Sequence, residues 1–316
     1  MAKKTKKPVK KVQASTPRKL KKEAYKPFRL HRRIKPVSPK LPNVFKLFKS
    51  ALGTLRDEWK LFLGITLVYG LLTIVLVRGF GGSLNLTELK DTLESVFGGG
   101  LNQLATAASL FSYLVGSAGT SNSPSGGVYQ ALLIIVMSLA VIWALRQVMA
   151  GKKQKIRDAF YQGMYPFVQF TLVLVVIGLQ LIPLLIGSWL YSTVINNGIA
   201  ITSPEKLIWA LLFFSMALLS LYMMCSSVFA LYIVTLPDMT PMKALRSARQ
   251  LVLHRRWVVL RKILFLPLAV LVIAGLIIIP LIMFLTPAAE WVFFVLSMFV
   301  LVFVHSYIYT LYRNLL

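Results

Sequence analysis

A chain of 316 residues that is 57% hydrophobic, with mean hydropathy +0.70, is too apolar for a water-soluble domain and reads as an all-α polytopic membrane protein. Its formal net charge of +26 has the size of a nucleic-acid binder's, but residues 1–50 alone hold eighteen Lys/Arg against Glu23, a contribution of +17, and most of the remainder falls in two loops. The single cysteine, Cys225, lies in an apolar run, which excludes a disulfide framework and a cysteine-based metal set.

Residues 1–42 form a Lys/Arg/Pro-rich tail almost free of large apolar groups. Such a segment cannot bury enough surface to offset its ordering entropy, so it is expected to be disordered. Three uses suit it: a topogenic anchor near anionic headgroups, a lipid-bound tail released by regulation, or a contact with a cytosolic protein, RNA or the ribosome. Tyr25 and Phe28 are its only aromatic side chains for base stacking.

From Asn43 the pattern changes. Val44, Phe48, Leu52, Leu55 and Trp59 recur at helical spacing with Lys46, Lys49, Arg56 and Lys60 between them, which predicts an interfacial helix leading into the first span. No cleavable signal peptide is expected, because the first apolar run begins only near Leu61. A six-span membrane domain is expected over residues 43–316, with spans near 60–78, 128–146, 166–190, 207–234, 263–285 and 290–312.

Loop charges give the orientation. The 146–165 loop carries Arg146, Lys152, Lys153, Lys155 and Arg157 against Asp158, and the 235–262 loop is more basic still. The intervening loops are neutral or acidic, so both termini are expected in the cytosol and the protein in the plasma membrane. Arg78 dissents and is expected to snorkel outward. Leu101–Ser117 is moderately apolar, but a crossing there would put both basic loops outside; it reads as a re-entrant or surface-lying helix. A short amphipathic helix is expected over Leu86–Phe97 before it, and Asn85-Leu86-Thr87 is read as a chance match to a glycosylation sequon.

The most informative stretch is Pro237–Lys262, with seven Lys/Arg against Asp238. Thr240 followed by Pro241 is a helix start. At about 100° per residue, Lys243, Arg246, Gln250, His254 and Arg261 share one side, and Ala244, Ala248, Leu251, Val252 and Val259 the other. These basic residues, with Lys152, Lys153 and Lys155, are the candidate surface for anionic lipid headgroups or a partner.

A weak internal repeat links Gly178–Leu184 (GLQLIPL) with Gly275–Leu281 (GLIIIPL), each following a basic, helix-prone segment. Gly178 and Gly275 would permit close helix approach, and Pro183 and Pro280 would kink their spans. Ala244–Val252 (ALRSARQLV), Ala159–Gly163 (AFYQG), the Pro-containing third span and the amphipathic helix before span one resemble a group of multi-span proteins. That group includes the membrane domain attached to some bacterial glycerophosphoryl diester phosphodiesterases and related six-span proteins. The resemblance covers roughly residues 43–312 and implies a helical bundle with amphipathic cytosolic helices. It implies no phosphodiesterase activity, because this chain has no room for the catalytic barrel.

Chemistry-bearing residues inside the spans are few. His305 is either a proton-relay or substrate group or a hydrogen-bonded structural histidine, with Ser306 or a tyrosine as partner. Gln180 either bonds backbone carbonyls freed by Pro183 or lines a polar cavity, and Gln169 is read as structural. Tyr307, Tyr309 and Tyr312 with Arg313 read as an interfacial anchoring belt. Hydrolase, metalloprotease and phosphate-loop signatures are missing, and no carboxylate sits within a span core, so no enzyme activity, metal or cofactor is expected. The leading reading is a structural, envelope-organising membrane protein whose basic cytosolic face binds anionic lipid or a partner. The alternative is a transporter or lipid-translocating protein with a cavity near spans three, five and six. The sequence sets no oligomeric state.

Overall fold

The computed structural model describes residues 41–77, 124–253, 255–284 and 286–316, and all structural statements concern these. The expectations for residues 1–40, Arg78, Asn85, Leu86–Phe97, Leu101–Ser117 and His254 lie outside them.

The described residues form helices and no strand. In chain order they are α1 (Val44–Asp57), α2 (Trp59–Leu76), α3 (Pro124–Met149), α4 (Ile156–Gly163), α5 (Phe167–Gln180), α6 (Ile182–Asn196), α7 (Ser203–Ile233), α8 (Pro241–Val252), α9 (Arg256–Phe284) and α10 (Thr286–Leu315). Six segments are long and apolar enough to cross a membrane: Trp59–Leu76, Gly127–Met149, Phe167–Asn196, Ser203–Ile233, Arg256–Leu281 and Trp291–Leu315. The chain is a multi-pass integral membrane protein with an all-α bundle.

Two boundaries differ from the hydropathy reading. The fifth span's helix starts at Arg256 rather than residue 263, because Arg256 and Lys262 find partners within the bundle. The third span continues to Asn196 and is split at Leu181 into α5 and α6. Pro183 has no N–H to give the preceding turn and sits at the start of α6, where that loss costs nothing. The amide of Leu184, orphaned by the break, donates to Ser220 Oγ on α7 at 3.1 Å. A hydroxyl from a neighbouring helix thus satisfies a backbone group that water cannot reach. An added Cβ at Gly178 would meet nothing within 4 Å, so this glycine does not serve a close helix approach. In the fifth span α9 runs unbroken through Pro280, with Gly275 buried. The two similar heptapeptides therefore have different backbones.

The core is concentrated at the end of the bundle that bears the basic loops. Half of the most apolar window of Gly127–Met149 is buried (50%), against 6% for Ser203–Ile233, which marks α3 as central and the far half of α7 as lipid-facing. Met137 to Leu145 of α3, Cys225 to Val234 at the end of α7, and Val302 to Tyr312 of α10 form the heart of it. Tyr307, Tyr309 and Tyr312 belong to this core and not to an interfacial belt. Tyr309 and Tyr312 pack on Tyr232 with ring centroids 5.8 and 6.2 Å apart, and Tyr307 donates to the Lys262 carbonyl at 3.0 Å. Their rings fill the inside of the bundle, which spacing alone does not distinguish from a headgroup belt.

Both basic segments carry a short amphipathic helix seated on the bundle by small residues four apart. Ala159 and Gly163 of α4 lie on α3, where a Cβ at Gly163 would meet Leu139 O at 3.1 Å and Ala140 Cα at 3.2 Å. Ala244 and Ala248 of α8, with Val252, are fully buried against α7 and α5. The lead-in helix α1 is also docked: Leu47 and Ala51 are buried against α10, while Leu52 and Trp59 of the expected apolar stripe are exposed. The contact face is rotated from that stripe because α10 offers Ser306 and Phe303 as partners, at 3.0 Å to Ala51 O and with a 4.8 Å ring contact to Phe48.

Gly163→Leu should lower stability by about 1–3 kcal/mol, the usual cost of overpacking, because its neighbours are backbone atoms that cannot give way. Gly53→Ala on α1, where an added Cβ meets nothing within 4 Å, is the control and should be neutral or stabilising. Thermal unfolding of the detergent-solubilised protein reads both. An unchanged transition for Gly163→Leu would rule out this seating of α4.

Candidate functional site

Thr240 caps α8 through its hydroxyl, which accepts the Lys243 amide at 3.4 Å, and Pro241 follows at the first helical position. The helix then has two faces. Ala244, Ala248 and Val252 are buried; Lys243, Arg246, Arg249 and Gln250 are exposed on the side turned away from α7 and α5. The charges point away from the bundle because the alanines fix which side packs. Arg261 is exposed but does not extend this face. The helix ends at Val252, a break follows, and Arg261 stands on α9.

Lys152, Lys153 and Lys155 are exposed in the turn before α4, which Gly151 opens with φ +74°. Since α4 rests on α3 and α2 while α8 rests on α7 and α5, the two basic segments flank the same end of the bundle without merging. Between them a cleft of about 740 Å³ is walled by Trp143, Arg146, Tyr161, Tyr165, Gln169 and Asp238. Tyr161 and Tyr165 are almost fully exposed there. Arg146 is committed within the fold. Its guanidinium donates to Thr235 O at 2.8 Å, Tyr232 O at 3.3 Å and the Thr235 hydroxyl, neutralising the carbonyl end of α7 and fastening α3 to it.

His305 is fixed by a one-way chain of hydrogen bonds. Ser138 Oγ donates to Ile134 O at 2.6 Å, which leaves its lone pair for His305 Nε2–H at 2.9 Å. Nδ1 is then the acceptor for the Tyr232 hydroxyl at 3.0 Å. Both ring nitrogens therefore have a side-chain partner inside the bundle. Ser306, considered as its partner from sequence, donates instead to Ala51 O. Gln180 ends α5 at the break, and its Oε1 is buried without a hydrogen-bond partner among the described residues. His305 and Gln180 are not brought together, and neither lines the cleft or the grooves between α1, α2, α9 and α10. Cys225 is buried, its thiol directed at the Arg256 carbonyl 3.7 Å away.

Two cations carry roles that loop-charge counting does not reveal. Arg146 is the cap described above. Lys262 is buried, and its ammonium donates to Pro42 O at 2.5 Å, tying the start of α1 to α9. In sequence Lys262 counts as the last cation of the basic loop, and its only signal is its place directly before the apolar run that starts at Ile263. Among the described residues no three of His, Cys, Asp and Glu group as metal ligands.

No family model, no curated protein and no solved structure matches the chain. The resemblance to the phosphodiesterase-attached membrane domain therefore rests on the quoted motifs alone.

His305→Leu should destabilise the bundle by about 1–3 kcal/mol, because it leaves the buried Tyr232 hydroxyl unpaired. Adding Tyr232→Phe should recover part of that loss, since both partners are then apolar. Unfolding of the two variants in detergent measures the difference; no recovery in the double variant would show that the pair is not coupled.

Proposed function

We propose that this protein is a non-enzymatic, envelope-organising membrane protein of the plasma membrane whose basic end lies in the cytosol and binds anionic partners, chiefly acidic lipid headgroups. The observation that carries this reading is the construction of α8. Its small-residue side is locked onto α7 and α5, and its Lys243, Arg246 and Arg249 side chains are held outward, making no ion pair among the described residues. A fixed cationic surface on a rigid support attracts anionic surfaces at about 1 kcal/mol per Lys/Arg. Lys152, Lys153 and Lys155 extend it across the cleft, and the basic residues of the tail add to the same sign of charge. Orientation follows from the loop charges.

The transporter reading has less support. It asks for a polar path through spans three, five and six, whereas His305 is closed between Tyr232 and Ser138 and Gln180 lies elsewhere.

Replacing Lys243, Arg246 and Arg249 together by Gln in the full chain, held in neutral-lipid nanodiscs, should weaken binding of phosphatidylglycerol vesicles several-fold at low salt and flatten the salt dependence. Wild-type binding by the triple variant would remove α8 from the surface. Orientation has its own check. Because Cys225 is buried, a cysteine at Lys155 should react with an impermeant maleimide only after intact cells are permeabilised. Labelling from outside would reverse the assignment.

A further inference from the structure

On the lipid-facing flank of α10 two apolar grooves run side by side, separated by the half-exposed ring of Phe299. One, about 500 Å³, lies between α1, α9 and α10 and includes Leu52, Ala274 and Phe303 in its walls. The other, about 470 Å³, lies between α2 and α10 and passes Gly70 and Met298. Each has the size of a site for a small organic ligand. Arg56 is the one charged residue lining either groove, and it stands where α1 gives way to α2. It is exposed and shares a side of α1 with Lys46 and Lys49; Asp57 and Glu58 line neither groove. We propose that these grooves hold one acidic two-chain phospholipid, a chain on each side of Phe299 and the phosphate on Arg56.

Three observations choose this occupant. The grooves are paired and apolar along their length, which suits two acyl chains and leaves nothing to recognise a polar solute. The one charged side chain in their walls, Arg56 of the groove between α1, α9 and α10, is a cation, and a guanidinium fork matches phosphate oxygens. The wall that carries Arg56 is preorganised. α1 is held by Lys262 on Pro42 O at 2.5 Å, by Ser306 on Ala51 O at 3.0 Å, and by ring contacts of Phe45 with Phe265 and Phe48 with Phe303. A groove already built costs the lipid only its own ordering. The site is separate from the α8 surface and stands without it.

The full chain is incorporated in nanodiscs containing equal phosphatidylglycerol and phosphatidylcholine, and washed near 1 M salt, where screening strips loosely held headgroups. Lipids retained on release into detergent are then counted by native mass spectrometry. Wild type should keep one phosphatidylglycerol. Arg56→Gln should lower the ratio of acidic to zwitterionic lipid about fivefold, the loss of one cation at a lipid surface. Ala274→Phe and Gly70→Phe, which fill one groove each, should reduce retention of both lipids. A Cβ at Gly70 meets nothing within 4 Å, so that variant keeps the test alive if Ala274→Phe does not fold. Replacing Lys243, Arg246 and Arg249 by Gln should leave the ratio unchanged. No retained lipid on wild type, an unaltered ratio in Arg56→Gln, or full retention in Gly70→Phe would each overturn the assignment. A ratio that follows the α8 variant alone would transfer lipid recognition to that surface.

Discussion

Inside a bilayer the lipid tails are as apolar as leucine, so the hydrophobic effect does not press spanning helices together. What holds this bundle is therefore a set of short-range devices. Small residues let backbones approach, and side chains from one helix satisfy the carbonyls and amides of another. Arg146 on the end of α7, Lys262 on Pro42, Ser306 on Ala51, Tyr307 on Lys262 and Ser220 on Leu184 are all of this second kind. Four of these five join elements at the basic end, and the dense core lies there too. The far half of α7 packs on α6, where Gly187 approaches Met216 and Tyr191 stacks on Phe213, and is otherwise largely exposed.

That distribution has a consequence for charge. Cations in a membrane protein are either spent inside, where they must be paired, or displayed outside, where they stay solvated. Arg146 and Lys262 are spent; Lys243, Arg246, Arg249 and Lys152 to Lys155 are displayed. The small residues decide the division. Had α8 packed through bulky side chains, its axis would stand farther from α7 and its register would be less constrained. With Ala244 and Ala248 buried there is little freedom to roll, and the arginines stay turned outward.

The spans were legible as long apolar runs and the two faces of α8 as a helical period, both of which a single chain displays. Pro183 marked the place where the third span bends, but the same motif at Pro280 leaves α9 continuous, so the sequence did not distinguish the two. The fate of individual polar residues was not legible. Tyr307, Tyr309 and Tyr312 have the composition of a headgroup belt, and only the arrival of Tyr232 from α7 makes them a core. The exposed stripe on α1 similarly depends on which face Phe303 and Ser306 of α10 claim. Arg146 counts in sequence as a loop charge, yet its guanidinium reaches Thr235, far along the chain. Such pairings are long-range, and periodicity carries no information about them.

The two similar segments, one before the third span and one before the fifth, sharpen this point. Ala159-x-x-x-Gly163 and Ala244-x-x-x-Ala248 do the same work, each seating a basic amphipathic helix on the bundle, while the proline motifs that follow them do not. At Pro183 the span is split, and Ser220 accepts from the Leu184 amide that the new helix start leaves free. Pro280 leaves α9 continuous. A proline creates an orphan backbone group in either place, but whether the helix separates there depends on what the neighbouring helix offers. The broken span is thus a property of α5, α6 and α7 together, and substituting Ser220 rather than Pro183 is the change that separates the two contributions.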